Sequence, residues 1–179
     1  MNSVRSYASV ALLNGEIYVF GGGDRRTWYN TDVDMSDLKL ERWIGMLSLQ
    51  QKRFSFAAAE IDGVLYPTGG FDGKDYLNSA ENFDYRMCYW EQIASMNSKR
   101  TCHSLVVLSG KLYALGAYDG STMVSSIEIY DSSYGLMDEG GPNEADKGIF
   151  CCCCSVTVYI CCCRSGNRLN VLKRVGAEK

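Results

Sequence analysis

The cysteines are the densest supply of reactive side chains in this chain. Seven of the nine fall in "IFCCCCSVTVYICCC", residues 149–163. Thiols at that density could ligate zinc, pair as disulfides or carry acyl chains. Successive residues of a strand point to opposite faces, so four adjacent cysteines cannot close on one ion. Cys151 and Cys154 have a C-x-x-C spacing, and Cys161 with Cys163 would complete four donors. The polar turns that normally hold such pairs are missing, and the expectation is no metal and no cofactor. The N-terminus "MNSVRSYASV" lacks the apolar stretch of a signal peptide, so a reducing compartment and free thiols are expected. Acylation is a further option, because residues 164–179 carry five basic side chains against Glu178, and a lipid chain beside basic residues anchors a protein. The plain alternative is a degenerate strand pair, "SVTVYI" being strand-like, or a tail with no selected role.

Other chemistry is sparse. The single histidine, His103, sits inside a predicted strand, which suits a packing or hydrogen-bonding role. "FGGGD" is no phosphate loop, because a polar loop and another strand follow it where a helix N-terminus would be needed. Glu81 and Glu128 recur at one period, which argues for structure rather than acid–base work. The net charge of −3 becomes −7 once the +4 of residues 164–179 is set aside, a poor match to nucleic acid. No run of residues reaches the ~18 apolar positions of a membrane span.

Recurrence organises the chain. "RSYASVALLNGEIYVFGGGD" from Arg5, "RFSFAAAEIDGVLYPTGGFDG" from Arg53 and "RTCHSLVVLSGKLYALGAYDG" from Arg100 are spaced 48 and 47 residues apart. Tyr18, Tyr66 and Tyr113 each follow their Arg by 13 residues, and Gly21, Gly69 and Gly116 follow by 16. Gly22 and Gly70 complete Gly pairs, and Trp43 and Trp90 fall 38 and 37 residues after their Arg. Asn14-Gly15, Asp62-Gly63 and Ser109-Gly110 are two-residue links suited to type I′ hairpin turns. The flanking runs are β-branched and aromatic. "SAENFD" and "SSIEIYD" read as third strands, and "LERWIG" and "CYWEQI" as fourth strands. Four antiparallel strands per ~47 residues is one blade of a β-propeller.

These units resemble kelch repeats, and "SVRSYASVALLNGEIYVFGGG" is most similar to plant kelch proteins, some of which carry a further N-terminal domain. The resemblance covers residues 4–131 and fades towards 150. It implies an all-β fold: a partial kelch propeller with three four-stranded blades, a degenerate fourth from about Lys147 and a divergent C-terminal tail. Residues 1–148 are read as the repeats, 149–163 as a Cys-rich apolar segment and 164–179 as a basic, disordered tail. Four positions depart from the pattern: Pro67 in a central strand, Ala117 in place of the second Gly, Met137 in place of the third Trp, and Cys163-Arg164 where a fourth Gly pair is due. Three blades leave an unclosed ring, which reads as a shortened version of a longer protein or as one that self-associates through its open blade edge.

The family resemblance implies a non-catalytic protein-binding platform in the cytoplasm, with the nucleus as an alternative, and by analogy a substrate receptor of a ubiquitin ligase. In relatives that bind acidic peptides, arginines at the motif position reach the central binding surface. Arg5, Arg53 and Arg100 are therefore partner-binding candidates for an acidic or polar segment, with intra-blade ion pairing as the alternative. Arg26, Trp28 and Tyr29, in the loop after the first Gly cluster, are further candidates, with packing on the adjacent blade as the alternative. A membrane-associated variant, tethered by the Cys-rich segment and basic tail, is the rival reading.

Overall fold

The structure, a computed structural model, describes residues 1–24 and 30–139, together with the backbone of 161–164 and 169–172. Three four-stranded antiparallel sheets follow one another along the chain. The first blade is β1 (Ser9–Leu13), β2 (Glu16–Phe20), β3 (Val33–Asp37) and β4 (Arg42–Met46). The second is β5 (Ala57–Ile61), β6 (Val64–Thr68), β7 (Ala80–Asp84) and β8 (Tyr89–Ile93). The third is β9 (Ser104–Leu108), β10 (Lys111–Leu115), β11 (Ile127–Asp131) and β12 (Leu136–Glu139). Strand order within each sheet is sequence order, and β1 lies beside β5 and β5 beside β9. First strands are thus innermost, and the sheets fan outward as propeller blades.

Each blade starts with the same hairpin. Asn14, Asp62 and Ser109 have φ of 53°, 51° and 50°, followed by Gly15, Gly63 and Gly110 at 83°, 83° and 73°. Positive φ at both central residues is the type I′ geometry, whose twist matches that of the flanking strands. Register then follows. Tyr18 pairs with Ala11, Tyr66 with Ala59 and Tyr113 with Val106, so the three tyrosines hold the same register position.

Pro67 does lie in a central strand. Its ring leaves no N–H for the ladder, and the β6–β7 pairing skips Tyr66 and Pro67, resuming at Thr68↔Ala80. The other blades pair through this point, with Val19↔Asp34 and Ala114↔Glu128. Met137 takes the third Trp position, pairing with Tyr130 as Trp90 pairs with Phe83.

The core lies between blades. Ala11, Leu13, Tyr18 and Phe20 of the first pack on Phe56, Leu65, Phe83 and Trp90 of the second. Ile61 and Tyr66 of the second pack on Leu112 and Tyr130 of the third. Trp90 is buried, its Nε1–H donating to Leu47 O at 2.9 Å, with its ring 4.9 Å from Phe83. Trp43 is only half-buried, because among the described residues no blade precedes the first.

β13 (Cys161–Arg164) and β14 (Leu169–Leu172) pair as a two-stranded antiparallel sheet, with Cys161 opposite Leu172. Arg164 and Leu169–Leu172 are strand backbone where the sequence reading has a disordered tail; the apolar "LNVL" suits a strand. Cys151–Cys154 lie outside the described residues.

Candidate functional site

Each blade has two ends. Hairpins 1–2 and 3–4 lie at one end. The other end, here the loop face, carries the loop from the second to the third strand and the linker arriving from the previous blade. The three arginines enter from that linker, and the structure turns them inward. Arg53 is fully buried. Its Nε and Nη2 donate to one Glu81 oxygen at 3.1 and 3.0 Å. Nη1 donates to Gly69 O at 2.8 Å and Ser79 O at 2.9 Å, and Nη2 also reaches Ser79 Oγ at 3.0 Å. Arg100 repeats the set with Glu128, Gly116 O, Ser126 O and Ser126 Oγ at 2.7–3.0 Å. Arg5 donates to Asp34 at 2.8 Å, to Gly21 O and to Asp32 O, and its side chain is 1% exposed.

The five guanidinium N–H groups of Arg53 and of Arg100 are therefore used within one blade. This corrects the reading of Arg5, Arg53 and Arg100 as partner-binding residues. The intra-blade alternative holds because the carbonyls just after β2, β6 and β10 turn inward and need donors. The recurring glutamates complete the unit. Glu81 accepts from Gln50 N at 2.8 Å and Gln51 N at 3.2 Å, and Glu128 accepts from Asn97 N and Ser98 N. Each Arg–Glu pair thus ties linker, Gly turn and third strand together. Burial pushes the Arg53 guanidinium below its usual range, against the pull of Glu81.

The Gly pairs form the seam between blades. Gly22 N–H donates to Arg53 O at 3.0 Å and Gly70 N–H to Arg100 O at 2.7 Å. Gly21, Gly69 and Gly116 have φ of 52°, 61° and 63°. A Cβ on Gly21 would stand 2.6 Å from Arg53 O, so both conformation and close approach require glycine. Ala117 takes the next position at φ 150°, inside the range that disfavours a side chain. A second seam links the inner turns: Ser55 N–H donates to Tyr7 O at 3.0 Å and Cys102 N–H to Ser55 O at 2.8 Å.

His103 is buried beside the seam, its Nε2 2.9 Å from Thr68 Oγ1 of the second blade. Burial, and then the Arg100 and Arg53 charges, push its pKa down to about 3. It is a neutral packing and hydrogen-bonding residue, as its place in the sequence suggests.

With the arginines turned inward, aromatic rings dominate the loop face. Tyr7 and Phe54 rings lie 4.5 Å apart, Phe71 and Tyr76 4.8 Å, and Tyr76 meets Tyr118 edge-on at 5.6 Å. Isolated bridges pin them: Phe54 and Phe71 pair, Phe71 and Tyr76 pair, and Thr101 pairs with Tyr118. Gly120 lies under the Tyr76 ring, where a Cβ would overlap it. Tyr7 is 61% exposed and Met123 64%.

Two aspartates shape the loops. Asp72 Oδ1 accepts the N–H of Lys74 and Asp75, both at 2.8 Å, and Asp119 Oδ1 those of Ser121 and Thr122, both at 2.7 Å. Burial raises the Asp72 carboxyl, but the N–H groups of Asp75 and Lys74 and the Gln51 amide outweigh it, and the net shift is downward. Thr122 and Ser121 N–H, with the Ser121 hydroxyl, hold Asp119 well below the carboxylate range. Both are ionised turn-formers at neutral pH.

Arg26, Trp28 and Tyr29 lie outside the described residues. The sequence reading missed Tyr7, Phe54, Phe71, Tyr76 and Tyr118, although Phe71 and Tyr118 each stand 18 residues after their Arg.

Sheets of this order, fanned about inner strands and joined by repeated seams, define a β-propeller segment. The particular family is given by the kelch motif, whose model matches residues 5–33, 52–97 and 99–133, more than half the chain. The chain belongs to the kelch-repeat family. It is 35% identical over 80 residues to human Kelch-like protein 35, covering 45% of this chain and 13% of that one. It is 36% identical over 81 residues to F-box/kelch-repeat protein At5g03020 of Arabidopsis thaliana, covering 44% of this chain and 23% of that one. The chain thus matches less than a quarter of the length of these relatives. Among solved structures it resembles YjhT, with a TM-score of 0.66 at 16% identity, covering 78% of this chain and 52% of that one. That likeness bears on the fold alone.

Proposed function

We propose that this chain is a non-catalytic protein-interaction module that holds a segment of a partner protein on its loop face. The carrying observation is the aromatic band Tyr7–Phe54, Phe71–Tyr76–Tyr118, in which Phe54, Phe71, Tyr76 and Tyr118 are held by backbone bridges. Aromatic side chains on a rigid scaffold supply large contact area at little entropic cost, which is why they concentrate at binding hot spots. The kelch-repeat relatives support a protein-binding role. Three groups that could act as acids or bases are engaged structurally: His103 against Thr68, Glu81 against Arg53, and Glu128 against Arg100.

The inward turn of the arginines changes the ligand expected. The described charges on this face are mixed, Asp72, Asp75 and Asp119 beside Lys52, Lys74 and Lys99. A segment offering apolar or aromatic side chains between polar groups fits better than a strongly acidic one. Within a larger assembly in the cytoplasm or nucleus, such a face would serve as the substrate-recognition platform of a ubiquitin ligase, the role the family analogy suggests.

The test is a random peptide library selected against residues 1–179. Tyr76→Ala and Tyr118→Ala should each weaken the selected peptides by roughly 5- to 30-fold, the loss of a hot-spot ring. Tyr85→Ala and Tyr134→Ala, in the opposite-end hairpins, should leave affinity within about twofold. The reverse pattern would overturn the assignment of the face.

A further inference from the structure

We propose that Asn14 is a self-modifying site, its side-chain amide lost by spontaneous deamidation to leave aspartate or isoaspartate in the first hairpin. The reading stands apart from the loop-face proposal, because this hairpin lies at the opposite end of its blade.

Asn14 is the one asparagine of the chain that is followed by glycine. A glycine nitrogen has no side chain beside it to hinder attack on the preceding amide, and asparagine is among the thermolabile residues. Both residues are exposed at the tip of the β1–β2 turn, and the space where a Gly15 side chain would stand is open. Asn2 and Asn78, by contrast, hold their amides on Asp34 Oδ1 and Met96 O, both at 2.9 Å. Asp-Gly links can close the same ring with loss of water, but Asp72 and Asp119 are occupied with the N–H groups of their own turns.

The second blade shows a brace that the first does without. Asp62-Gly63 forms the same turn, with φ of 51° and 83° against 53° and 83° for Asn14-Gly15. There Gly63 N–H, the group that would have to attack, donates to Glu60 Oε1 at 2.6 Å. The carboxylate keeps the proton on that nitrogen and pins the tip of the turn. Leu12 stands at the Glu60 position of the first blade and has no side-chain acceptor to offer. The more reactive pair therefore sits in the turn without the brace.

The reaction needs only water. Hydroxide removes the Gly15 amide proton, and the nitrogen attacks Asn14 Cγ. The bond from Gly15 N to Cγ forms, the bond from Cγ to the side-chain nitrogen breaks, and ammonia leaves with a proton taken from water, which restores the hydroxide. Water then opens the five-membered succinimide. Cleavage at Cγ gives aspartate, the residue already present at position 62. Cleavage at the main-chain carbonyl gives isoaspartate, whose backbone runs through the side-chain methylene and is one carbon longer, so the two-residue type I′ turn no longer fits. Ring closure rotates the Asn14–Gly15 peptide out of that turn, so the reaction runs through local opening of the hairpin tip.

The experiment is incubation of folded residues 1–179 at mildly alkaline pH, followed by peptide mass mapping and by labelling with an isoaspartyl carboxyl methyltransferase. Asn14 should show the mass of amide-to-acid conversion before any other asparagine, together with methyl-accepting isoaspartate in its peptide. Leu12→Glu, at a position that is 61% exposed, installs the brace and should slow the conversion roughly 2- to 10-fold, the effect of one hydrogen bond. Glu60→Leu is the converse, and should raise isoaspartate formation at Asp62 by a similar factor. In concentrated urea, where the turns are open, both variants should react at the rate of the unmodified chain, which shows that the brace acts through the folded hairpin. Earlier conversion at another asparagine, or an unchanged rate in either folded variant, would overturn the proposal.

Discussion

Replacing Arg53 by alanine should destabilise the protein by ~3–5 kcal/mol, the usual effect of removing one partner of a buried ion pair. The geometry supports the upper half of that range. The substitution leaves the Glu81 carboxylate buried without its cation, and strips donors from Gly69 O and Ser79 O. The N–H groups of Gln50 and Gln51 still reach Glu81, which keeps the loss from growing further. For a chain of this length, ~2–4 °C per kcal/mol applied to that upper half gives a Tm about 8–20 °C lower. Urea titration followed by Trp fluorescence measures it. Arg86→Ala is the control: its ion pair with Asp84 is 61% exposed on the arginine side, so solvent screens it and a far smaller loss than that of Arg53→Ala is expected. A double-mutant cycle of Arg53→Met with Glu81→Leu should show a coupling of up to ~3 kcal/mol. If Arg53→Ala changed stability no more than Arg86→Ala does, the guanidinium would not be the internal tie described, and its candidacy as a partner contact would reopen.

Three further outcomes follow from the same geometry. Trp90→Ala should cost ~3–5 kcal/mol in a urea titration, from loss of a buried indole and its bond to Leu47 O; half-buried Trp43 should cost distinctly less in the free chain, and equal costs would contradict the packing. Ala117→Gly should raise Tm, because relief of the ~1–3 kcal/mol strain of a non-glycine residue held in a sparsely populated φ region outweighs the ~0.4–1 kcal/mol that Gly adds to unfolded-chain entropy; a fall in Tm would contradict the strain at φ 150°. His103 has a folded pKa lowered to about 3 from 6.5, so its unfolded form binds the proton first. Stability should be full above pH 6.5 and fall below it at up to ~1.4 kcal/mol per pH unit, and His103→Gln should flatten the response between pH 6.5 and 5; a flat response there in the unmodified protein, or a slope that survives in the variant, would refute the burial.

Much of the fold was legible because the period is strong. Arg, Tyr and Gly at fixed offsets, with a two-residue turn between apolar runs, leave one supersecondary unit to repeat. Even Met137, a departure from the pattern, stands where the third Trp should. The direction of the arginines was not legible, because a charged residue repeated on one end of each blade looks the same whether it faces solvent or carbonyls. Burial decided it, together with Glu81 and Glu128, whose shared period was noticed without their partners being named. The aromatic band was missed for a related reason. Tyr7 and Phe54 stand where the other units carry Ser55 and Cys102 or Ser6 and Thr101, so the repeat hides them and only the folded chain brings them beside the recurring aromatic positions. Pro67 shows the opposite limit: the sequence rule against proline in a central strand holds, and the sheet meets it with a local gap in pairing rather than by expelling the residue.

The central claim is that the loop face, with its fixed aromatic band, is where a partner segment sits. Amide hydrogen exchange of residues 1–179 with and without a selected peptide tests it most directly. Slowed exchange should concentrate in residues 5–8, 71–79 and 118–124. Slowing confined to the opposite-end hairpins, residues 38–41, 85–88 and 132–135, would contradict the account.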